Sequence, residues 1–331
     1  MEIAVRLRPA AIMLLAIATA LLATVVLAVG GAVGGAGGGT ASPGGPGAGS
    51  NSAGRAGVID AVAAENQYGN VIAQVGGRYV RVTSLLNDPG TDPHTFEASV
   101  AVARKVGQAR LIVQNGLGYD SFAGDIENAA PNPGRTVIDA QRLLGLPDST
   151  PNPHLWYAPA TMPKVAAAVA AALARIEPGH AAYFRDNARE FTAALNAWPA
   201  ALGRFADAHK NVPVASTEPV ADYLLDAAGT RNLTPWSFRA AVMNGTDPSP
   251  QSVAATKALL SQRKVRALIY NEQVTDPLTE SLVALADSRH IPVVGVYETM
   301  PRPGYDYQSW MLAETSALNR AVTSHTSTER L

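Results

Sequence analysis

The chain of 331 residues carries 26 Lys and Arg against 27 Asp and Glu, with six His and no Cys. A near-zero net charge argues against nucleic acid as a partner, which would call for a basic face. The lack of Cys excludes disulfides, thiolate metal sites, iron–sulfur clusters, cysteine catalysis and the lipidated Cys of a lipoprotein. The length suggests two modest domains, and 47% hydrophobic residues suffice for proper cores.

No charged residue occurs between Arg8 and Arg55. Inside that gap, residues 10–29 are an unbroken run of apolar and small residues plus two Thr. Arg6 and Arg8 followed by such a run, and then by small residues, read as an export signal. The run is also about long enough to span a bilayer, so an uncleaved N-terminal anchor is the rival reading. In either case the positive-inside rule puts the rest of the chain outside the cytoplasm, in the periplasm or cell envelope. Residues 1–36 are assigned to this signal or anchor. Residues 37–56 are Gly, Ala, Ser and Pro with little else, and such a segment buries too little side chain to order itself. It is read as a flexible linker, and folding is expected to begin near Gly57.

In chain order, the pattern predicts a strand over 57–63 and a helix over 65–75 closed by Gly76 and Gly77. A strand over 79–85, a helix over 95–106 and strands over 109–113 and 136–139 follow. An Ala-rich helix is expected over 160–176, with Pro163 in its first turn and Pro178 past its end. A longer helical pattern runs over 179–208, where Pro199 should kink it or end it early. Strand–helix alternation then resumes, with strands over 212–217, 267–270 and 293–296 and a helix over 220–228. This alternation marks an α/β protein with parallel sheets. It divides into an N-terminal lobe (57–178), a linking helix (179–210) and a C-terminal lobe (211–331).

An internal repeat supports the two lobes. Gly90-Thr91-Asp92-Pro93 recurs as Gly245-Thr246-Asp247-Pro248. Each copy precedes a helix and then a basic-led strand ending in Asn, at Asn115 and at Asn271. The copies differ at the next residue, His94 in one and Ser249 in the other, so His94 has a role beyond holding the turn.

Two His occupy matched settings: Asp92-Pro93-His94-Thr95-Phe96 and Asn152-Pro153-His154-Leu155-Trp156. The preceding Pro restricts the backbone, and a pre-ordered donor loses less entropy on binding. Helix capping is the competing account of both. Carboxylates at the carboxyl ends of parallel strands are the natural complement, because ligands of open α/β sheets bind there. Glu218 and Glu298 end two predicted strands of the second lobe, and Glu272 competes at a third. First-turn placement before a helix is the bland reading of Glu218. A divalent ion with two imidazoles and two carboxylates is formally neutral, which lowers the penalty of enclosing it. Nitrogen and oxygen donors without sulfur suit manganese, iron or zinc.

The ordered series Ala64-Glu65-Asn66, Asp92-Pro93-His94, Asn115-Gly116-Leu117, Asn152-Pro153-His154, Ser216-Thr217-Glu218 and Tyr297-Glu298-Thr299 resembles the solute-binding proteins of zinc- and manganese-uptake ABC transporters, the cluster A-I family. The resemblance covers about residues 57–321. It implies two similar parallel-sheet lobes joined by a rigid helix, with a metal site in the cleft. The implied ligands are His94 and His154 from the first lobe, and Glu218 with Glu298 from the second. The family usually places Asp in the fourth position, so Asp306 and Glu272 are held in reserve. The His-rich loop of many zinc-type members is absent, which with Glu218 leans towards manganese or iron and leaves zinc open.

The expected function is capture of a divalent cation (Mn2+, Zn2+ or Fe2+) as cargo and its delivery to an ABC transporter permease. The protein is expected to be a non-enzymatic monomer, with membrane contact only through an uncleaved N-terminus. An extracytoplasmic metal-dependent hydrolase is the alternative, although neither a His-Glu-x-x-His run nor a Gly-x-Ser-x-Gly elbow is present.

Overall fold

The computed structural model describes residues 57–88, 99–301 and 304–331. The expected export segment, the linker, His94 with its Asp-Pro setting and the first copy of the Gly-Thr-Asp-Pro repeat lie outside the described residues.

The first lobe opens with β1 (Ile59–Glu65), α1 (Asn66–Gly76) and β2 (Val80–Leu86), followed by α2 (Val100–Gln108) and β3 (Leu111–Gln114). It continues through α3 (Ser121–Ala129), β4 (Thr136–Asp139), α4 (Ala140–Leu144) and α5 (Thr161–Ile176). Gly77 closes α1 at φ 51°, a left-handed value that glycine adopts without a Cβ penalty. Ser99 caps α2 by accepting from the Val102 backbone N–H. Glu65 is the last residue of β1 and not the first of the helix, so it stands at a strand's carboxyl end.

The predicted long helix is two helices, α6 (Ala181–Leu195) and α7 (Ala197–Ala208). Pro199, which has no N–H, cannot continue the α6 ladder, whereas it is tolerated in the first turn of a new helix. α6 packs on α1 and α5 of the first lobe. The second lobe then runs through β5 (Pro213–Ser216), α8 (Asp222–Ala227), β6 (Arg231–Asn232), α9 (Trp236–Met243) and α10 (Pro250–Ser261). It ends with β7 (Leu268–Asn271), α11 (Pro277–Ser288), β8 (Val293–Val296) and α12 (Tyr307–Ser324). α7 packs on α8 and α12, so the α6–α7 pair passes from one lobe to the other.

Both sheets are parallel and share one order, β2-β1-β3-β4 and β6-β5-β7-β8. The two strands of the sequence repeat, β3 and β7, hold the same third place. In each sheet the first strand lies between the second and third, so the order reverses beside it. That switch point is where parallel sheets leave a crevice at their carboxyl ends.

One hydrophobic core runs through both lobes, with Tyr68, Trp156, Phe184, Trp198, Tyr307 and Trp310 all fully buried. Polar contacts also tie the lobes together. Asn66 grips the Met300 backbone at both N–H and carbonyl, and the Tyr307 backbone N–H donates to Asn70. Among the described residues no helix is long and apolar enough to cross a membrane.

Candidate metal centre

His154 follows α4 and precedes a single turn over Leu155–Tyr157. Its imidazole is fully buried, with Trp156 and Tyr119 packed edge-on at ring-centroid distances of 5.3 and 5.8 Å. Asn152 fixes its protonation pattern. The Asn152 amide nitrogen donates to the Pro219 carbonyl at 2.9 Å, so its Oδ1 must be the atom facing His154. That oxygen accepts from the His154 backbone N–H at 3.1 Å and lies 2.7 Å from Nδ1. Nδ1 therefore carries the proton and Nε2 holds a lone pair, the arrangement a metal-binding imidazole requires. Among the described residues Nε2 has no hydrogen-bond partner, and it lies 3.5 Å from Glu298 Oε2.

Glu298 comes two residues after β8 and is fully buried. Its backbone is clamped from both lobes: its N–H donates to Gln273 Oε1 at 2.6 Å, and its carbonyl accepts from Gln67 at 3.1 Å. Its carboxylate oxygens have different partners. Oε2 accepts from the Tyr119 hydroxyl at 2.7 Å, and Oε1 accepts from the Asn271 amide at 2.8 Å. Glu218 follows β5 after Thr217 and is also buried; its Oε1 accepts from the same Asn271 amide at 3.3 Å. It caps no helix, since α8 starts from Ala221.

Of the four expected ligands, Glu298 meets His154 of the opposite lobe, and Glu218 is linked to Glu298 through the Asn271 amide. The fourth, His94, lies outside the described residues. Among the described residues no three His, Asp or Glu side chains already close on one point as a metal cluster. Asn271 explains the spacing, because its amide stands between the two carboxylates. Among the described residues the His154–Glu298 pair has ligand-like geometry: donors about 2.1 Å from a tetrahedral ion lie about 3.4 Å apart, close to the observed 3.5 Å.

The two reserve residues are engaged elsewhere. Asp306 is exposed and caps α12 in a reciprocal pair with Ser309. Glu272 pairs with Arg330 at 3.3 Å, and burial raises its carboxyl above the usual range.

Sequence reading missed the polar frame. Asn115, fully buried, donates to the Pro153 carbonyl at 2.8 Å and accepts from Tyr68 at 2.7 Å, so it anchors the His154 loop. Asp120 accepts from the Asn115 and Gly116 backbone N–H groups. Burial still pushes its carboxyl up to about 6 against those bonds. Glu65, fully buried beside it, is raised well above the carboxylate range by burial and then by Asp120. Burial, with Glu298 and Glu65 nearby, also raises the Tyr119 hydroxyl, so it stays a donor. The visible signals for this frame were the asparagine that ends both repeat strands and the Ala64-Glu65-Asn66 and Asn115-Gly116-Leu117 segments of the resemblance, none of which showed what the side chains hold.

Known proteins resemble the chain along most of its length. The manganese-binding lipoprotein MntA of Bacillus subtilis is 28% identical over 156 residues, 44% of this chain and 50% of the relative. The chain thus spans about half the length of that relative. The zinc-binding protein TroA of Treponema pallidum is 24% identical over 223 residues, 63% of this chain and 70% of that protein. Among solved structures, the Mn-bound periplasmic metal binding protein of Candidatus Liberibacter asiaticus superposes with a TM-score of 0.66 at 18% identity, covering 79% of this chain and 98% of the other. The crystal structure of ZnuA gives 0.65 at 19% identity, covering 80% and 100%. At these identities the superpositions speak for the fold. The family described as zinc-uptake complex component A, periplasmic, matches residues 61–321, and the chain belongs to it.

Proposed function

We propose that the protein captures one divalent transition-metal ion (manganese, zinc or iron) outside the cytoplasm and hands it to an ABC transporter permease. His94 and His154 supply nitrogens from the first lobe, and Glu218 and Glu298 supply oxygens from the second. The observation that carries this reading is the buried Nε2 of His154. Its lone pair faces a carboxylate of the opposite lobe at 3.5 Å, with its tautomer set by Asn152. An unbonded buried nitrogen beside a buried carboxylate is costly without a cation to complete the set. The metals named for the Bacillus and Treponema relatives, manganese and zinc, support the same class of cargo.

The reading assigns no catalytic residue, and the protein acts as a monomeric receptor. Residues 1–36 serve as signal or anchor, and 37–56 tether lobes spanning 57–178 and 211–331 through the 179–210 link. The lobe-to-lobe hydrogen bonds of Asn66, Gln67 and Tyr157 support small rather than large lobe motions on binding.

Metal-stripped protein should take up one equivalent of Mn2+ or Zn2+ in a calorimetric titration. The double variant His94→Ala, His154→Ala should take up none at this site. Unchanged uptake by that variant would overturn the assignment.

A further inference from the structure

Next to the His154–Glu298 pair in sequence, one phenol joins the two lobes. β8 ends at Val296, so Tyr297 has left the sheet one residue before Glu298. Its backbone N–H donates to the Tyr157 hydroxyl at 3.2 Å, and its carbonyl accepts from the same hydroxyl at 2.9 Å. Both residues are buried. A single side chain of the first lobe thus satisfies both backbone groups of Tyr297, as a neighbouring strand would. Tyr157 closes the one turn that follows His154, and Tyr297 is bonded to Glu298. The hydroxyl is therefore a second link between the same two segments that carry the candidate ligands.

That hydroxyl also has a second acceptor. Glu314 Oε1 lies 3.1 Å from it and accepts from Trp310 Nε1 at 2.9 Å as well. A phenol carries one hydrogen, so the Tyr297 carbonyl and Glu314 compete for it. A carboxylate is a stronger acceptor than a neutral acid. The hydrogen stays on the nearer carbonyl while Glu314 is protonated, and turns to Glu314 once it ionises. We propose that Tyr157 is a positioning residue whose hydroxyl holds the Glu298 segment against the His154 turn, and that ionisation of Glu314 withdraws the hydroxyl hydrogen and loosens this hold. The inference rests on the metal-binding reading above. Burial pushes the Glu314 carboxyl up to about 8. The other titratable groups set around it are the phenols of Tyr157, Tyr297 and Tyr307, all raised by burial. Glu272, past β7, and Arg330, at the chain end, bear on Tyr297. Gln67 and Gln273 still clamp Glu298 itself, so the effect is partial.

The test titrates the metal-stripped full chain with Mn2+ in a calorimeter, under nitrogen, at about pH 7 and about pH 9, on either side of the Glu314 titration. Between these the wild type should lose about threefold to tenfold in affinity relative to Glu314→Gln, which cannot ionise; this is the worth of one hydrogen bond. Referring each profile to Glu314→Gln cancels the titration of the ligands themselves. Tyr157→Phe should bind more weakly than the wild type at about pH 7 and then follow the Glu314→Gln profile. A merely structural role would lower the stability of Tyr157→Phe in urea and leave its affinity unchanged, which would overturn the proposal. Parallel profiles for the wild type and Glu314→Gln would overturn it too. So would a wild-type affinity that rises relative to Glu314→Gln, the mark of through-space attraction between carboxylate and cation. These last two outcomes decide the matter even if Tyr157→Phe does not fold. A wild type that takes up no Mn2+ or Zn2+ at either pH would instead refute the metal-binding reading.

Discussion

Glu314 lies in α12, wholly buried, and its Oε1 accepts from Trp310 Nε1 at 2.9 Å and from the Tyr157 hydroxyl at 3.1 Å. Burial pushes its carboxyl from the usual 4.5 up to about 8, against the opposing effect of those two donors. The folded chain therefore keeps a proton that the unfolded chain loses. The stability linked to this group is fully present below about pH 4.5 and is lost progressively as pH rises through about 8. Each pH unit in that interval costs about 1.4 kcal/mol, hence about 2–3 kcal/mol from about pH 5.5 to about pH 7.5. Glu314→Gln has the shape of the neutral acid and does not titrate. The other buried groups near Glu314 are Tyr157 and Tyr297, whose hydroxyls are themselves raised and stay neutral in this window. Urea unfolding of both proteins, metal-free and at matched ionic strength, should show the variant gaining about 2–3 kcal/mol on the wild type between those two pH values. Parallel pH profiles for the two proteins would refute the reasoning, because they would mean that Glu314 titrates alike in both states.

The remaining predictions concern the site and its supports. Asn152→Ala frees the His154 tautomer and should weaken Zn2+ binding by about 10–100-fold in calorimetry with the stoichiometry kept; a change under about twofold would contradict the role of Asn152. In Gly295→Ala the added Cβ would lie 1.7 Å from the Glu329 carbonyl oxygen. There the chain end runs along β8 through Gly295 N–H to Thr328 O at 2.9 Å and Thr328 N–H to Val293 O at 2.8 Å. This variant should lose about 1–3 kcal/mol of stability in chemical unfolding, with amide exchange speeding first near Thr328. Asp120→Asn should flatten the fall of stability between about pH 4 and pH 6, since the Asp120 carboxyl is raised to about 6 and its stabilising share is lost as pH rises through that value.

The sequence conveys the scaffold better than the frame around the site. β4 and β8 fall where alternation put them, and β3 and β7 take equivalent places as the repeat required. The period-two and period-3.6 patterns survive because the faces they describe are buried in a core. β6, two residues long, has no period to read. Glu218 and Glu298 stood out as candidates because strand ends of parallel sheets form the crevice, and both are buried just past β5 and β8. The amides that hold these candidate ligands did not stand out. Asn66 and Gln67 meet partners 234 and 231 residues away, and a buried amide looks in sequence like any loop Asn or Gln. Asn271 was visible only as the end of a strand, and its two acidic partners appear when β5, β7 and β8 come side by side. Asp306 reads as a spare carboxylate near the last strand, yet it is used as the α12 cap, a local role that Ser309 three residues later foreshadows.

The central claim is that one ion sits between the lobes on His154 and Glu298. Crystals of protein loaded with Zn2+ and measured across the zinc absorption edge test it most directly. A single anomalous peak at about 2.0–2.2 Å from both His154 Nε2 and a Glu298 carboxylate oxygen is the predicted result. A peak that lies away from His154 and Glu298, with these two side chains still facing one another at 3.5 Å, would contradict the account.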